Sequence, residues 1–228
     1  QESAGQQAQP QQAAPSAAPA APAPVNPKGN GVFGNIITVI NKCADKALKL
    51  TLKDVKIDVS DTGTDNYFNP KAGKAALSVQ GEGNVEIELD GDNELKSGAH
   101  RAGLEKTSKG TLTLKDDQEP GSLTAEGGGW AAGIGGSDGK GTNNIIISGG
   151  TVTAEGGNYG AGIGGGYGGG GDHITISGGA VTAIGGRVGG AGIGGGYSGD
   201  GDHITITGGK VTAEGGNSGA GIGGGYWG

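Results

Sequence analysis

Three short phrases recur in fixed order through the second half of this chain. Ile-x-Ile stands at 145–147, 174–176 and 204–206, and Val-Thr-Ala at 152–154, 181–183 and 211–213. Ala-Gly-Ile-Gly-Gly stands at 132–136, 161–165, 191–195 and 220–224, and a Leu-Thr-Ala precursor sits at 123–125. Each phrase repeats every 29 or 30 residues. A fixed period of 20–50 residues marks a solenoid, a propeller or an array, in which each unit buries its apolar side against the next.

Each phrase reads as a short strand. In Ile174-Thr175-Ile176 the two Ile side chains face one way and Thr the other, and Val181-Thr182-Ala183 repeats the pattern. β-branched residues suit strands. Glycine pairs interrupt every segment and disfavour helix, at about 0.5–1 kcal/mol per interior Gly relative to Ala. Of the 56 glycines, 44 lie in 121–228, where they suit tight corners between closely packed coils. The spacing predicts an all-β parallel β-helix (β-solenoid) with three strands of three to five residues per coil. Coils stacked about 4.8 Å apart would place Ile over Ile, Val over Val and Ala over Ala. A propeller blade needs four strands over roughly 40–50 residues and fits this period poorly. A glycine-rich polyproline-II bundle does not explain the Ile/Val alternation.

Weaker copies extend the period upstream. Leu48–Leu52, Val85–Leu89 and Thr111–Leu114 alternate like the Ile-x-Ile slot. Val55–Val59 and Asn93–Lys96 resemble the second slot; Ala75-Ala76-Leu77 and Ala102-Gly103-Leu104 resemble the third. The expected solenoid therefore spans 47–228 in about six coils of 26–37 residues. Residues 30–46, with Val32, Phe33, Ile36, Ile37, Val39 and Ile40, are expected to cap one end as a strand or short helix.

Residues 1–29 differ in kind. They are rich in Gln, Ala and Pro, and hold six of the eight prolines. Such a segment buries too little apolar surface to offset its ordering entropy and reads as a disordered or extended arm. With no Met and Gln1 first, the chain reads as a processed product whose signal peptide has been removed, hence secreted, extracellular or at the cell surface. A net charge of −7 without a basic stretch argues against nucleic-acid binding, and no apolar run reaches the length of a membrane span. Cys43, alone, offers neither an internal disulfide nor a cysteine cluster for zinc, and is expected to be a buried or half-buried thiol.

The phrases carry a resemblance. Asn84–Leu95, Ala102-Gly103-Leu104, Gly121–Ala125 and Ala132–Gly136, followed by the Ile-Ser-Gly-Gly-Thr-Val-Thr-Ala-Glu-Gly-Gly run from 147, resemble the Gly-rich β-helix repeats of secreted bacterial cell-surface proteins of the carbohydrate-binding-domain type. Pectate-lyase-like solenoids are more distant relatives. The resemblance covers about 47–228. It implies a non-catalytic protein that binds plant or host polysaccharide or acts as an adhesin module, with bound Ca2+ as an accompanying expectation. A polysaccharide lyase is a lesser alternative, because no oriented base accompanies an acidic cluster.

Stacking turns repeat positions into columns. Tyr167, Tyr197 and Tyr226 each follow a Gly-Ile-Gly-Gly-Gly phrase and should form a ladder, with Trp227 beside the last. Ring arrays suit the apolar C–H faces of pyranoses; ring pairs across coils also stabilise a solenoid that binds nothing. Asp172 and Asp202 share a column with Asn143, and Asp200 lies next to it. Carboxylates one coil apart repel, so Asp172, Asp200 and Asp202 are a candidate Ca2+ site, against a reading as solvated turn residues. Asp90-Gly91-Asp92-Asn93 is a second candidate acidic turn.

His173 and His203 share a column with Asn144, a metal-binding or surface arrangement. His100-Arg101 is read as an isolated basic pair. Thr124, Thr153, Thr182 and Thr212 form an outward column of the kind ice-binding surfaces use, but its neighbour is interrupted at Ile146. Gly160–Gly165 satisfies a dinucleotide fingerprint with no helix pattern to follow it.

The C-terminal end stops after a full repeat with no capping segment, so either the protein continues or that end stacks on another molecule. Head-to-tail stacking would give a homo-oligomer, and the alternative reading is a structural subunit of an extracellular filament or matrix.

Overall fold

The computed structural model describes residues 33–118 and 120–228. The arm expected over 1–29 and the start of the cap, Val32 included, lie outside the described residues. The described chain winds as a parallel β-solenoid with no helix; correspondingly, no helix is long and apolar enough to cross a membrane.

Each coil has three faces. The first carries seven rungs: Ile37–Asn41, Leu77–Gly81, Leu104–Lys106, Ile134–Gly135, Ile163–Gly164, Ile193–Gly194 and Ile222–Gly223. The second runs from Leu48–Lys53 through Leu112–Lys115, Thr142–Ile147 and Gly171–Ile176 to Gly201–Asp202 and Thr205–Ile206. The third runs from Lys56–Asp58 through Gly121–Glu126, Thr151–Glu155 and Ala180–Ile184 to Lys210–Glu214. The single long strand Val85–Lys96 supplies a rung to both the second and third faces and joins them into one sheet. All strand pairings between coils are parallel.

The register stacks like residues as the spacing predicts. Leu112, Ile145 and Ile174 align, as do Leu114, Ile147, Ile176 and Ile206. Leu123, Val152, Val181 and Val211 form a second column, and Ala125, Ala154, Ala183 and Ala213 a third. Leu77, Leu104, Ile134, Ile163, Ile193 and Ile222 complete the interior. These aliphatics are fully buried through the central coils, each Leu, Ile or Val worth about 1.5–3 kcal/mol of transfer free energy. The upstream slots read from the sequence hold: Leu50 lies over Ile87, Ile57 over Leu95, and Leu77 over Leu104.

Several local expectations are corrected. In the later coils the first-face strand is only two residues, Ile-Gly, because glycine on both sides turns the chain away. Residues 37–41, expected to cap one end as a strand or short helix, form a strand that pairs with Leu77–Gly81 as the first rung of that face. Asp90–Asn93 is not an acidic turn: the strand runs straight through the corner. Asn93 is buried, donating to the carbonyls of Leu52, Asp90 and Ser122 while accepting from the Val55 amide. Cys43 is exposed, in the turn that follows Asn41. Gly160–Gly165 forms a corner and a two-residue strand, with no nucleotide-binding helix.

The outer position of the first face is glycine at 135, 164, 194 and 223, with φ of 131°, 141°, 130° and 129°. At Gly164 a Cβ would collide with the carbonyl oxygen of Gly194 in the next coil. This column therefore sets both the backbone geometry and the coil spacing.

Candidate functional site

The bare glycine track of the first face is covered from its two flanking corners. Four residues before the buried aliphatic of each rung stand His100, Trp130, Tyr159 and Gly189; four residues after it stand Asp138, Tyr167, Tyr197 and Tyr226. The backbone clasps these two columns together across coils. The amides of Asp138, Tyr167, Tyr197 and Tyr226 donate to the carbonyls of His100, Trp130, Tyr159 and Gly189, at 3.2, 2.8, 2.8 and 2.9 Å. Each bond joins one coil to the one before it.

The clasp assembles an aromatic strip. Tyr167 stacks on Tyr197 at 5.7 Å, Tyr197 lies 5.4 Å from Tyr226, and Trp227 meets Tyr226 edge-on at 4.7 Å. The sequence-predicted residues Tyr167, Tyr197, Tyr226 and Trp227 are thus brought together, with the Trp227 indole N–H donating to the Tyr197 hydroxyl at 2.9 Å. Trp130 and Tyr159, which the sequence reading missed, extend the strip: Trp130 stacks on Tyr159 at 4.7 Å, and Tyr159 meets Tyr167 and Tyr197 edge-on. An excursion from the first coil adds Tyr67, stacked on Trp130 at 6.2 Å, and Phe68. Of the nine aromatic residues in the chain, all but Phe33 belong to this one run.

Beside the strip, where the first face turns into the second, lies a cleft of about 1040 Å3. Its walls include His100, Arg101, Glu105, Lys106, Asp138 and Asp172. His100-Arg101 is not an isolated pair. His100 is buried, stacks on Trp130 at 5.6 Å, and bonds Asp138 at 2.9 Å and the Thr64 carbonyl at 3.1 Å. It ties the excursion to the solenoid wall. Arg101 donates to Glu105 at 2.9 Å, and the Ser137 hydroxyl donates to the same carboxylate at 2.6 Å. Burial pushes Glu105 upward, but hydrogen bonds from Ser137, Arg101 and Ser78 outweigh it and hold the carboxyl below its ordinary range.

Lys106 is the opposite case. Adjacent strand residues point to opposite sides, so Lys106 does not share the partners of Glu105. It is 3% exposed, its ammonium donates to the Ser108 carbonyl at 2.8 Å, and burial pushes its pKa down to about 8. The Ser108 and Thr142 hydroxyls on the same cleft are buried without hydrogen-bond partners. In the regular repeat the positions of Glu105 and Lys106 are Gly135 and Gly136. The cleft is thus built from a departure from the repeat, and that departure was the signal available in the sequence.

The acidic column stacks as the spacing predicts, but its carboxylates do not gather into one site. Asn143, Asp172 and Asp202 do align in register. Asp172, however, is gathered with His173 and His203, not with Asp200 and Asp202: among the described residues these three form the one group of ligand atoms lying within 4.8 Å of one another. The Asp200 side chain is exposed, while its carbonyl accepts the Gly171 amide in the ladder. Desolvation opposes ionisation of Asp172, but hydrogen bonds from His203 and His173 prevail and hold its pKa below the ordinary carboxylate value. The outward threonine column at 124, 153, 182 and 212 is present in register, and its neighbour is interrupted at Ile146.

A family model described as beta helix repeat matches residues 121–138, 145–167, 174–197 and 204–226. Comparison with curated proteins and with solved structures finds no match. The matched segments are the coils whose Ile, Val and Ala columns align above, and together with the parallel ladders they support a β-helix repeat fold.

Proposed function

We propose that this protein is a secreted, surface-displayed, non-catalytic solenoid that binds polysaccharide. The observation that carries this reading is the aromatic strip. The solenoid fills its hydrophobic core with aliphatics and no aromatic ring, yet eight rings are collected outside on one edge.

Within the strip, Tyr167 and Tyr197 spend their faces on each other and are half-buried. Open ring surface is concentrated at the two ends, where Phe68 is 93% and Trp227 69% exposed. An extended glycan laid along the rod would stack its C–H faces on the open rings at both ends and run over the half-buried tyrosines between them. The neighbouring cleft, with Arg101 and Lys106 in its wall, offers a place for a branch or an acidic sugar.

The test is retention on a panel of immobilised polysaccharides. Wild type is expected to bind at least one of them. The Tyr167→Ala/Tyr197→Ala/Tyr226→Ala variant is expected to bind at least tenfold more weakly. A matching triple Tyr→Phe variant, which keeps the ring packing, should retain the wild-type melting temperature and fall between the two. Equal binding by wild type and the alanine variant, or no binding by either, would defeat the assignment.

A further inference from the structure

We propose that Asp172, His173 and His203 form a binding site for a borderline divalent transition metal of the Zn2+, Ni2+ or Cu2+ type, bridging two adjacent coils. The backbone builds the site. Gly171-Asp172 pairs in register with Gly201-Asp202, and then the ladder skips His173 and Ile174 before resuming at Thr175 with Thr205. One coil earlier a single position is skipped, where Asn144 falls out of the ladder between Asn143 and Ile145. The skipped residues Asn144, His173 and His203 all have left-handed backbone, with φ of 54°, 50° and 49°. A non-glycine residue in that region costs free energy relative to the strand conformation, and here the arrangement turns both imidazoles out of the sheet, 57% and 69% exposed.

Once outside, the two rings stack at 4.5 Å with 16° between their planes. Both direct Nδ1 at one carboxylate: His173 lies 2.8 Å from one oxygen of Asp172 and His203 2.9 Å from the other. Two nitrogens and a carboxylate so close together are a ready ligand set for a metal that takes nitrogen at about 2.0–2.1 Å. Imidazole belongs to zinc, copper and nickel, whereas calcium takes oxygen ligands. This chemistry departs from a calcium reading of the acidic column. Asp172 contributes to both, but its partners here are nitrogens.

Loading requires each Nδ1 to present a lone pair. In a neutral imidazole the proton moves to Nε2, which faces away from Asp172, so no net charge need leave the site. In an imidazolium a proton must be released. Protons therefore compete with the metal, and acidification weakens binding. Three protein ligands leave further coordination positions to solvent or to a ligand in the cleft, whose wall includes Asp172. The proposal does not depend on polysaccharide binding.

The experiment titrates the tag-free 228-residue chain with ZnCl2 by calorimetry, with CaCl2 as comparison. Saturation at one equivalent is expected for Zn2+, at least tenfold tighter than for Ca2+. His203→Ala and Asp172→Asn should each weaken Zn2+ binding at least tenfold, and Asp200→Asn should leave it unchanged. Because these side chains are exposed, the variants should fold with wild-type circular dichroism. With Cu2+, electron paramagnetic resonance should report two nitrogen donors in wild type and one in His203→Ala. Absence of saturable Zn2+ binding, equal affinity for Ca2+, or an unchanged affinity in His203→Ala would overturn the assignment.

Discussion

Gly164→Ala is expected to lower stability by about 3 kcal/mol and the melting temperature by roughly 10 °C. Two effects add at this position. Its φ of 141° is a conformation that L-residues rarely adopt, and the new methyl group would collide with the Gly194 carbonyl oxygen. That oxygen cannot step aside. It belongs to the neighbouring rung of the first face, paired with Gly164 on one side and Gly223 on the other. Relief requires opening two coils locally. The control is Gly168→Ser. Gly168 also has positive φ, 66°, but a Cβ there meets nothing within 4 Å, and the equivalent position one coil on is Ser198 at 63°. This variant should cost no more than about 1 kcal/mol. Thermal melts of the two variants read the difference directly. If they melt together, coil spacing is not set by the glycine column.

The second large effect runs in the stabilising direction. Lys106→Met is expected to raise stability by about 2 kcal/mol at pH 7, or roughly 6 °C in melting temperature. The ammonium is buried, burial alone depresses its pKa from 10.5 to about 8, and its hydrogen bond is to a neutral carbonyl. Methionine removes the desolvation penalty and keeps the aliphatic stem.

The pH dependence fixes the sign. Below about pH 8 both folded and unfolded Lys106 carry the proton, and the full cost is present. Between about 8 and 10.5 the unfolded chain holds a proton that the folded chain has lost, so this group makes stability rise with pH. Above 10.5 the cost is gone. The gap between wild type and Lys106→Met should therefore be widest at pH 7 and close by pH 10.5. A variant that melts below wild type at pH 7 would mean that the ammonium makes a net favourable contact in the fold.

The solenoid was legible because period-two alternation survives even where the phrases have drifted. Leu50 and Leu52, or Ile57 and Val59, carry no glycine signature, yet their apolar spacing placed them on the correct faces. The columns at Asp172, His173 and Tyr197 were legible for the same reason: an in-register stack turns sequence period into spatial neighbourhood.

The parts that escaped obey no period. The excursion carrying Tyr67 and Phe68 has no counterpart in other coils, and its docking on Trp130 depends on the length and path of one loop. Trp130 and Tyr159 were within reach, since both stand four residues before a first-face Ile, but the next coils carry Gly189 and Ser218 there and the column does not show as a motif. The residues joining Asp172 were misjudged because spacing places residues in columns without saying which way a side chain turns. The left-handed backbone at His173 and His203 brings their imidazoles to Asp172, ahead of the carboxylate one rung away.

The clasp between the columns at 130 and 167, 159 and 197, and 189 and 226 has a consequence for how such a rod can change in length. Every fastening joins a coil to its immediate neighbour, at the same place in each turn. Excising one whole period, for instance 164–193, would bring Ile163 directly before Gly194 and leave each surviving fastening a partner of the same kind. Removing half a period would leave every downstream fastening facing the wrong slot. The molecule can therefore be shortened or extended by duplication and loss of entire turns, while its cross-section, and the aromatic edge running along it, keep the same design.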